Sequence, residues 1–182
     1  GNMLILNDKD EQIPISQADA KYKRYIGNGA PKHFLSWSNN LTWRNFDLSV
    51  FFRGTFGFDV FNMRKYGMGL QGCGTDNVLR SAYLEDKNIR TGGGVISSYF
   101  LEDGSFIKLE NVTLGYNFTP KNRKLLDNMR IYLSAKNLFT LTGYSGNDPS
   151  IIDVNGIQPG VDSNSAYPTA TQLSLGVTLR FK

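Results

Sequence analysis

The chain is poor in the residues from which most catalytic and cofactor chemistry is built. It has one cysteine, Cys73, and one histidine, His33. No disulfide can close within it, and a zinc cluster of the usual Cys/His composition is excluded. No apolar run approaches the roughly 18 residues that a membrane helix needs, which excludes an α-helical span and leaves a transmembrane β-strand open. Basic residues number 20 and acidic residues 16, a net charge of +4. The charges are scattered, with no run of about five or six of one sign to act as an arm for nucleic acid or lipid headgroups. Residues Gly1 to Asn7 lack the charged and then apolar regions of a signal peptide. Gly1 is read as an expression scar, with the natural chain starting further upstream. What is abundant is aromatic and glycine: 12 Phe, 9 Tyr, 2 Trp and 19 Gly. Together with few helical patterns, this points to β structure joined by turns and loops. At 40% hydrophobic and 20% charged, the chain carries enough apolar material for order.

Five segments alternate with period two, the mark of strands with unlike faces. The cleanest is the last: Leu173, Leu175, Val177, Leu179 and Phe181 oppose Gln172, Ser174, Gly176, Thr178 and Arg180. The first places His33, Leu35, Trp37, Leu41 and Trp43 on one face, interrupted by Asn39. The second places Phe46, Leu48, Val50, Phe52 and Phe56 opposite Asp47, Ser49, Arg53 and Thr55. The fourth places Ile131, Leu133, Ala135 and Phe139 together, interrupted by Asn137. The third breaks phase: Val112, Leu114, Tyr116 and Phe118 share a face, but Ile107 and Leu109 have the opposite parity. A bulge near Glu110 or Asn111 would repair the break; otherwise the upstream half has left the apolar environment. The expected fold class is mainly β, an antiparallel meander of about five main strands near 33–43, 46–56, 106–118, 130–141 and 171–181, each pairing with its sequence neighbour. Short helices are expected at Ser16 to Tyr25, Thr75 to Asp86 and Pro120 to Leu126.

The connections alternate in length. Arg44-Asn45 and residues 119–129 are short; residues 57–105 and 142–170 are long. In a meander, successive connections lie at opposite ends of the sheet, so the short ones share one end and the long ones the other. Transmembrane β-barrels have this asymmetry, with polar lumen faces and aromatic girdles at the strand ends. Trp43, Phe46, Phe118, Phe139 and Phe181 stand where such girdles would. Alternation alone equally fits a half-buried sheet of a soluble β-sandwich; the loop asymmetry favours the barrel. Five strands cannot close a membrane barrel, whose smallest examples have about eight, so on that reading the chain is a fragment.

Several motifs carry a more specific resemblance. They are Asn45-Phe46-Asp47-Leu48-Ser49-Val50-Phe51-Phe52-Arg53-Gly54, then Asp103 to Tyr116, then Arg130-Ile131-Tyr132-Leu133-Ser134-Ala135-Lys136-Asn137-Leu138-Phe139-Thr140. Tyr144-Ser145-Gly146-Asn147-Asp148-Pro149 and Tyr167-Pro168-Thr169 follow, before a last strand ending in Arg180-Phe181. In order and spacing, from about Ile26 onward, they resemble the C-terminal end of SusC/RagA-type TonB-dependent outer-membrane transporters of the Bacteroidetes. The resemblance implies a barrel of about 22 strands with a plugged lumen. It implies residence in the cell outer membrane, energised import of glycans or other oligomers such as peptides, and partnership with TonB and a SusD-like surface lipoprotein. Residues 1–182 would form a single β-rich segment of that barrel, not competent for transport alone, with the plug and TonB-binding segments upstream. An isolated segment of this kind would self-associate. The sequence departs from the family at Ser150, where Glu is usual, and at Asn147, where an aromatic or Gly is frequent.

Other motifs are weaker. Gly67 to Gly72 fits a dinucleotide fingerprint in letters, but it needs a strand before it and a helix after it. Asp8, Asp10, Gln12 and Asp19 are spaced like calcium-loop ligands, although Ile13 stands where the turn glycine belongs and Pro14 follows. His33 has no second His or Cys with which to build a metal or nucleophile site. Cys73 is a lone thiol between glycines. The adjacent pairs Glu85-Asp86 and Glu102-Asp103 do not converge as a hydrolase's carboxylates must. No nucleophile elbow or phosphate loop is present. No enzyme, cofactor or nucleic-acid partner is expected. If the long loops bind a ligand, Tyr66, Tyr83, Tyr99, Tyr144 and Tyr167 are the amphipathic aromatics available for stacking. The alternative is a soluble carbohydrate-binding or structural β-domain.

Overall fold

The computed structural model describes residues 4–71, 77–84, 96–120, 125–152, 156–163, 167 and 169–182. In chain order the elements are β1 (Leu4–Leu6), β2 (Gln12–Pro14), β3 (His33–Trp43), β4 (Phe46–Phe56), β5 (Asp59–Asn62), α1 (Met63–Met68), α2 (Ser81–Leu84), β6 (Leu101–Asp103), β7 (Phe106–Phe118), β8 (Leu126–Thr142), β9 (Val161–Asp162) and β10 (Gln172–Phe181). Short 3-10 turns stand at Ile15–Gln17, Ala20–Tyr22, Ser98–Phe100 and Pro149–Ile151. The body is a five-stranded antiparallel sheet ordered β3, β4, β7, β8, β10, so each long strand pairs with its neighbours in sequence, as the meander requires. β1 and β2 form a separate hairpin, and β6, β5 and β9 a small second sheet.

The register explains the phase break. Phe52 pairs with Leu109 and Phe51 with Asn111, so Glu110 is an extra residue on β7. The bulge returns Ile107 and Leu109 to the face that holds Val112 and Leu114, which pair with Ala135 and Leu133 on β8. β8 adapts in turn by taking Asn137 through a left-handed backbone, φ 53, a conformation asparagine tolerates better than most residues. One apolar face therefore runs unbroken across five strands, through Trp43, Phe46, Tyr116, Ile131 and Val177 among others. Its large side chains are open: Leu175 is 76% exposed and Trp43 66%.

The opposite face is polar and internally bonded. Arg130 donates to both carboxylate oxygens of Asp47, at 3.0 and 2.5 Å, and Asn117 donates to the same carboxylate at 2.7 Å. This pair spans Gly115, where a Cβ would run into both partners. Tyr132 stands between Gly115 and Gly176 in the register, and its ring fills the space above Gly176 that a side chain there would need.

Three sequence expectations change. The fourth strand begins at Leu126, so the helix expected at Pro120 to Leu126 does not take in its last residue; residues 121–124 lie outside those described. Ser16 to Tyr25 forms two separate 3-10 turns instead of one helix, because Ala18 and Asp19 between them take extended backbone. Of Thr75 to Asp86, Ser81–Leu84 is helical, and residues 75–76 and 85–86 lie outside those described.

Candidate functional site at the long-connection end

His33, Phe56, Phe106 and Thr142 meet at one end of the sheet and Trp43, Phe46 and Phe118 at the other. Both long connections therefore leave from the same end, and the N-terminal segment enters there too. The two loops are tied together by the small sheet: β5 pairs antiparallel with β6 and parallel with β9. Phe58, Val60, Phe106, Tyr144 and Ile152 form one buried cluster. Leu70 and Phe100 form another, with Phe61, Tyr66 and Tyr99 packed around it. Aromatic edges meet faces in this second cluster, Tyr66 to Phe100 at 5.3 Å and Tyr99 to Phe100 at 5.1 Å.

A buried cation anchors the second loop. Lys108 sits on the polar face of β7 and is 2% exposed. Its three ammonium hydrogens are matched by three acceptors: Asp148 Oδ2 at 3.0 Å, Ser150 Oγ at 2.8 Å and Thr169 Oγ1 at 3.0 Å. Asp148 also accepts from the Ser150 amide and from the Thr169 hydroxyl. Burial opposes ionisation of Asp148, but these hydrogen bonds and the lysine outweigh it and hold its pKa below the ordinary carboxylate value. The loop thus folds inward over the polar face of the sheet. A buried lysine paired and bonded on all sides is the arrangement in which such a charge is tolerated.

Glu102 is the second node. It accepts from Asn62 and from the amide and hydroxyl of Ser145, and Lys65 approaches at 3.7 Å. The Tyr144 hydroxyl donates to Asp162 at 2.6 Å. Burial, and then this bond to a carboxylate, raise the Tyr144 pKa above its ordinary value. The N-terminal segment is clasped to the same loops. Asn28 and Asp59 exchange two hydrogen bonds at 2.8 Å, and Gly29 passes so close to Pro159 that a Cβ there would strike its carbonyl.

The five tyrosines named from sequence separate into two groups. Tyr66, Tyr99 and Tyr144 are built into the loop cores, whereas Tyr83 is 60% and Tyr167 89% exposed. Of the calcium-spaced residues, Asp10 pairs with Arg24 at 2.6 Å, Asp19 caps the turn at Ala20–Tyr22, and Gln12 lies in β2 opposite Leu6. Among the described residues no group of three His, Cys, Asp or Glu side chains is placed to hold a metal ion. Gly67 lies inside α1 and Gly69 at its C-cap. The fingerprint glycines thus meet a helix C-terminus, where carbonyls and not amides are free for a ligand. Gly72, Cys73 and the pair Glu85-Asp86 lie outside the described residues. His33 is an exposed residue at the start of β3. Sequence reasoning did not single out Lys108, Glu102 or Asp148 as anchors. The one available signal was the phase break, which puts Lys108 on the polar face beside the loop.

A scan against known protein families matches none. A TonB-dependent receptor of Formosa agariphila is 28% identical over 195 residues, covering 96% of this chain and 18% of that protein. The TonB-dependent receptor SusC of Bacteroides thetaiotaomicron is 28% identical over 153 residues, covering 79% of the chain and 14% of SusC. Among solved structures, the RagAB peptide importer in its closed-closed state superposes with a TM-score of 0.73 at 23% identity, covering 96% of the chain and 20% of that one. The chain spans about a fifth or less of the length of the proteins it matches. Along nearly its whole length it is thus similar to SusC/RagA-type TonB-dependent receptors in sequence, and to the RagA barrel in fold.

Proposed function

We propose that residues 1–182 form part of the barrel wall and outer loops of an outer-membrane, TonB-dependent importer of oligomeric nutrients, glycans or peptides. The observation that carries this reading is the pair of unlike faces on one sheet. An apolar face of five strands stands open, with Leu173, Leu175 and Phe181 all more than half exposed. The face behind it is lined by Arg, Asp, Ser, Thr and Asn. Contiguous exposed apolar surface of this extent marks an interaction surface, and lipid is the partner that suits a flat sheet with aromatic ends. No second sheet covers that face among the described residues, which counts against the soluble sandwich. In the proposed frame the long-connection end faces outward, where a SusD-like lipoprotein and the incoming substrate meet residues 57–105 and 142–170 first. Tyr83 and Tyr167 are then the tyrosines free to stack on a ligand. No catalytic role is proposed, since the relatives are receptors and transporters.

Membrane fractionation of the full-length receptor tests the reading. The protein is expected in the outer-membrane fraction, soluble only in detergent and heat-modifiable on gels. Recovery as a monodisperse species in plain buffer, with the apolar face still exposed, would refute it.

A further inference from the structure

We infer that Arg44, in the turn between β3 and β4, is a seat for the phosphate of a membrane phospholipid at the short-connection edge of the sheet; the inference rests on the barrel reading above. Three observations lead to it. The first is backbone. Arg44 has φ 54, at a turn position that hairpins fill with Gly, Asn or Asp. A long side chain held in this region is kept against its preference, and strain of this kind gathers where a side chain has a task. The turn is also fixed, since the Asn45 carbonyl accepts from the Asn117 amide at 2.7 Å and from its side chain at 3.4 Å.

The second is direction. The Arg44 guanidinium lies over the Trp43 ring, 5.1 Å from its centroid. Trp43 is on the apolar face, stacked at 6.4 Å on Phe46, which meets Tyr116 edge-on at 4.9 Å. The cation therefore stands at the end of the membrane-facing surface, at the level where aromatic belts meet headgroups.

The third is charge. Arg53 and Arg130 on the polar face are each paired with a carboxylate, Glu110 and Asp47. Arg44 is exposed and has no such pair among the described residues. With one face on an indole, a guanidinium still presents its N–H edge in plane, the geometry that takes two phosphate oxygens at once. At the short-connection end that phosphate is the headgroup of a glycerophospholipid in the inner leaflet.

The test uses the full-length receptor, purified from nanodiscs of phosphatidylethanolamine and phosphatidylglycerol, with retained phospholipid counted by native mass spectrometry. Arg44→Gln is expected to lower retention about fivefold, the change for loss of one basic group near a phosphate surface. Arg44→Lys should keep part of it. Arg180→Gln, a cation near the same end but on the polar face, should leave it unchanged. Equal retention by Arg44→Gln and the parent overturns the inference. So does an equal drop in Arg180→Gln, or displacement of the lipid by inorganic phosphate alone. A receptor that never enters the membrane fraction would instead overturn the barrel reading, and heat-modifiability of each variant separates that outcome from this one.

Discussion

The strands and the loops of this chain obey opposite rules. In the wall, Leu173, Leu175 and Trp43 are more than half exposed; at the loop end, Phe58 is 2% exposed and Val60 and Phe100 are fully buried. Apolar residues are displayed along the most regular strands, and the buried cores are built mainly from the irregular loops. The loop end is organised like a small water-soluble domain, with its own sheet, its own clusters and bonded charges. On the barrel reading, the wall is organised for a solvent that is itself apolar. The two regions meet at Phe106 and Lys108, which belong to a wall strand by hydrogen bonding and to the loop core by packing.

The sharpest way to break this division is at the meeting point. Lys108→Met leaves Asp148 buried without its cation, a loss of about 3–5 kcal/mol for a broken buried pair. The loop at residues 142–152 should become open to protease in the full-length receptor while the barrel still inserts. Replacing both partners, Lys108→Met with Asp148→Leu, should recover much of the protection, because no charge is then stranded. Next in size is a crossed pair of changes. Leu175→Arg on the apolar face should cost roughly 2–4 kcal/mol if it lies near the midplane and reduce insertion. Deleting residues 145–165 should spare insertion and impair uptake or docking of the SusD-like lipoprotein. If deletion blocks insertion while Leu175→Arg is harmless, the two regions have been assigned the wrong solvents.

Gly29→Ala probes the clasp between the N-terminal segment and the second loop. Its Cβ would meet backbone, which cannot step aside like a side chain, so a loss of about 1–3 kcal/mol is expected, read as faster hydrogen exchange at Asp59 and Phe61 alone. Acid should act more gently on the loops. The folded Asp148 pKa lies below its unfolded value of 3.8, so its contribution is complete above that value and lost as pH falls through the lower folded one. Tyr144 gives the alkaline counterpart: its pKa is raised above 10.0, so its contribution is intact below about pH 10 and is lost progressively as pH climbs from there toward the raised folded value. Proteolysis of residues 142–152 compared at pH 7, 3 and 11 measures both, and equal rates at all three would remove these groups as loop anchors.

The wall was legible because each of its residues must choose between two unlike environments. The limits 33–43, 46–56 and 106–118 coincide with β3, β4 and β7, and even the bulge at Glu110 showed as a parity error. The loop end was not legible. β1, β2, β5, β6 and β9 are too short to establish a period. Their partners are remote: Asn62 bonds Ser145, and Lys108 bonds Thr169. A tyrosine in a loop also reads the same whether it is a loop core, as Tyr66 is, or a free surface, as Tyr167 is. Only packing separates them.

The glycines at 115 and 176 set a property of the wall that no single interaction describes, namely its thickness. At both positions a neighbouring side chain lies down along the sheet instead of standing away from it: Arg130 across Gly115, Tyr132 across Gly176. Two of the largest residues on the polar face are thereby laid into hollows in the surface. In a closed barrel, each hollow is clearance returned to the passage at the height where the wall would otherwise be bulkiest.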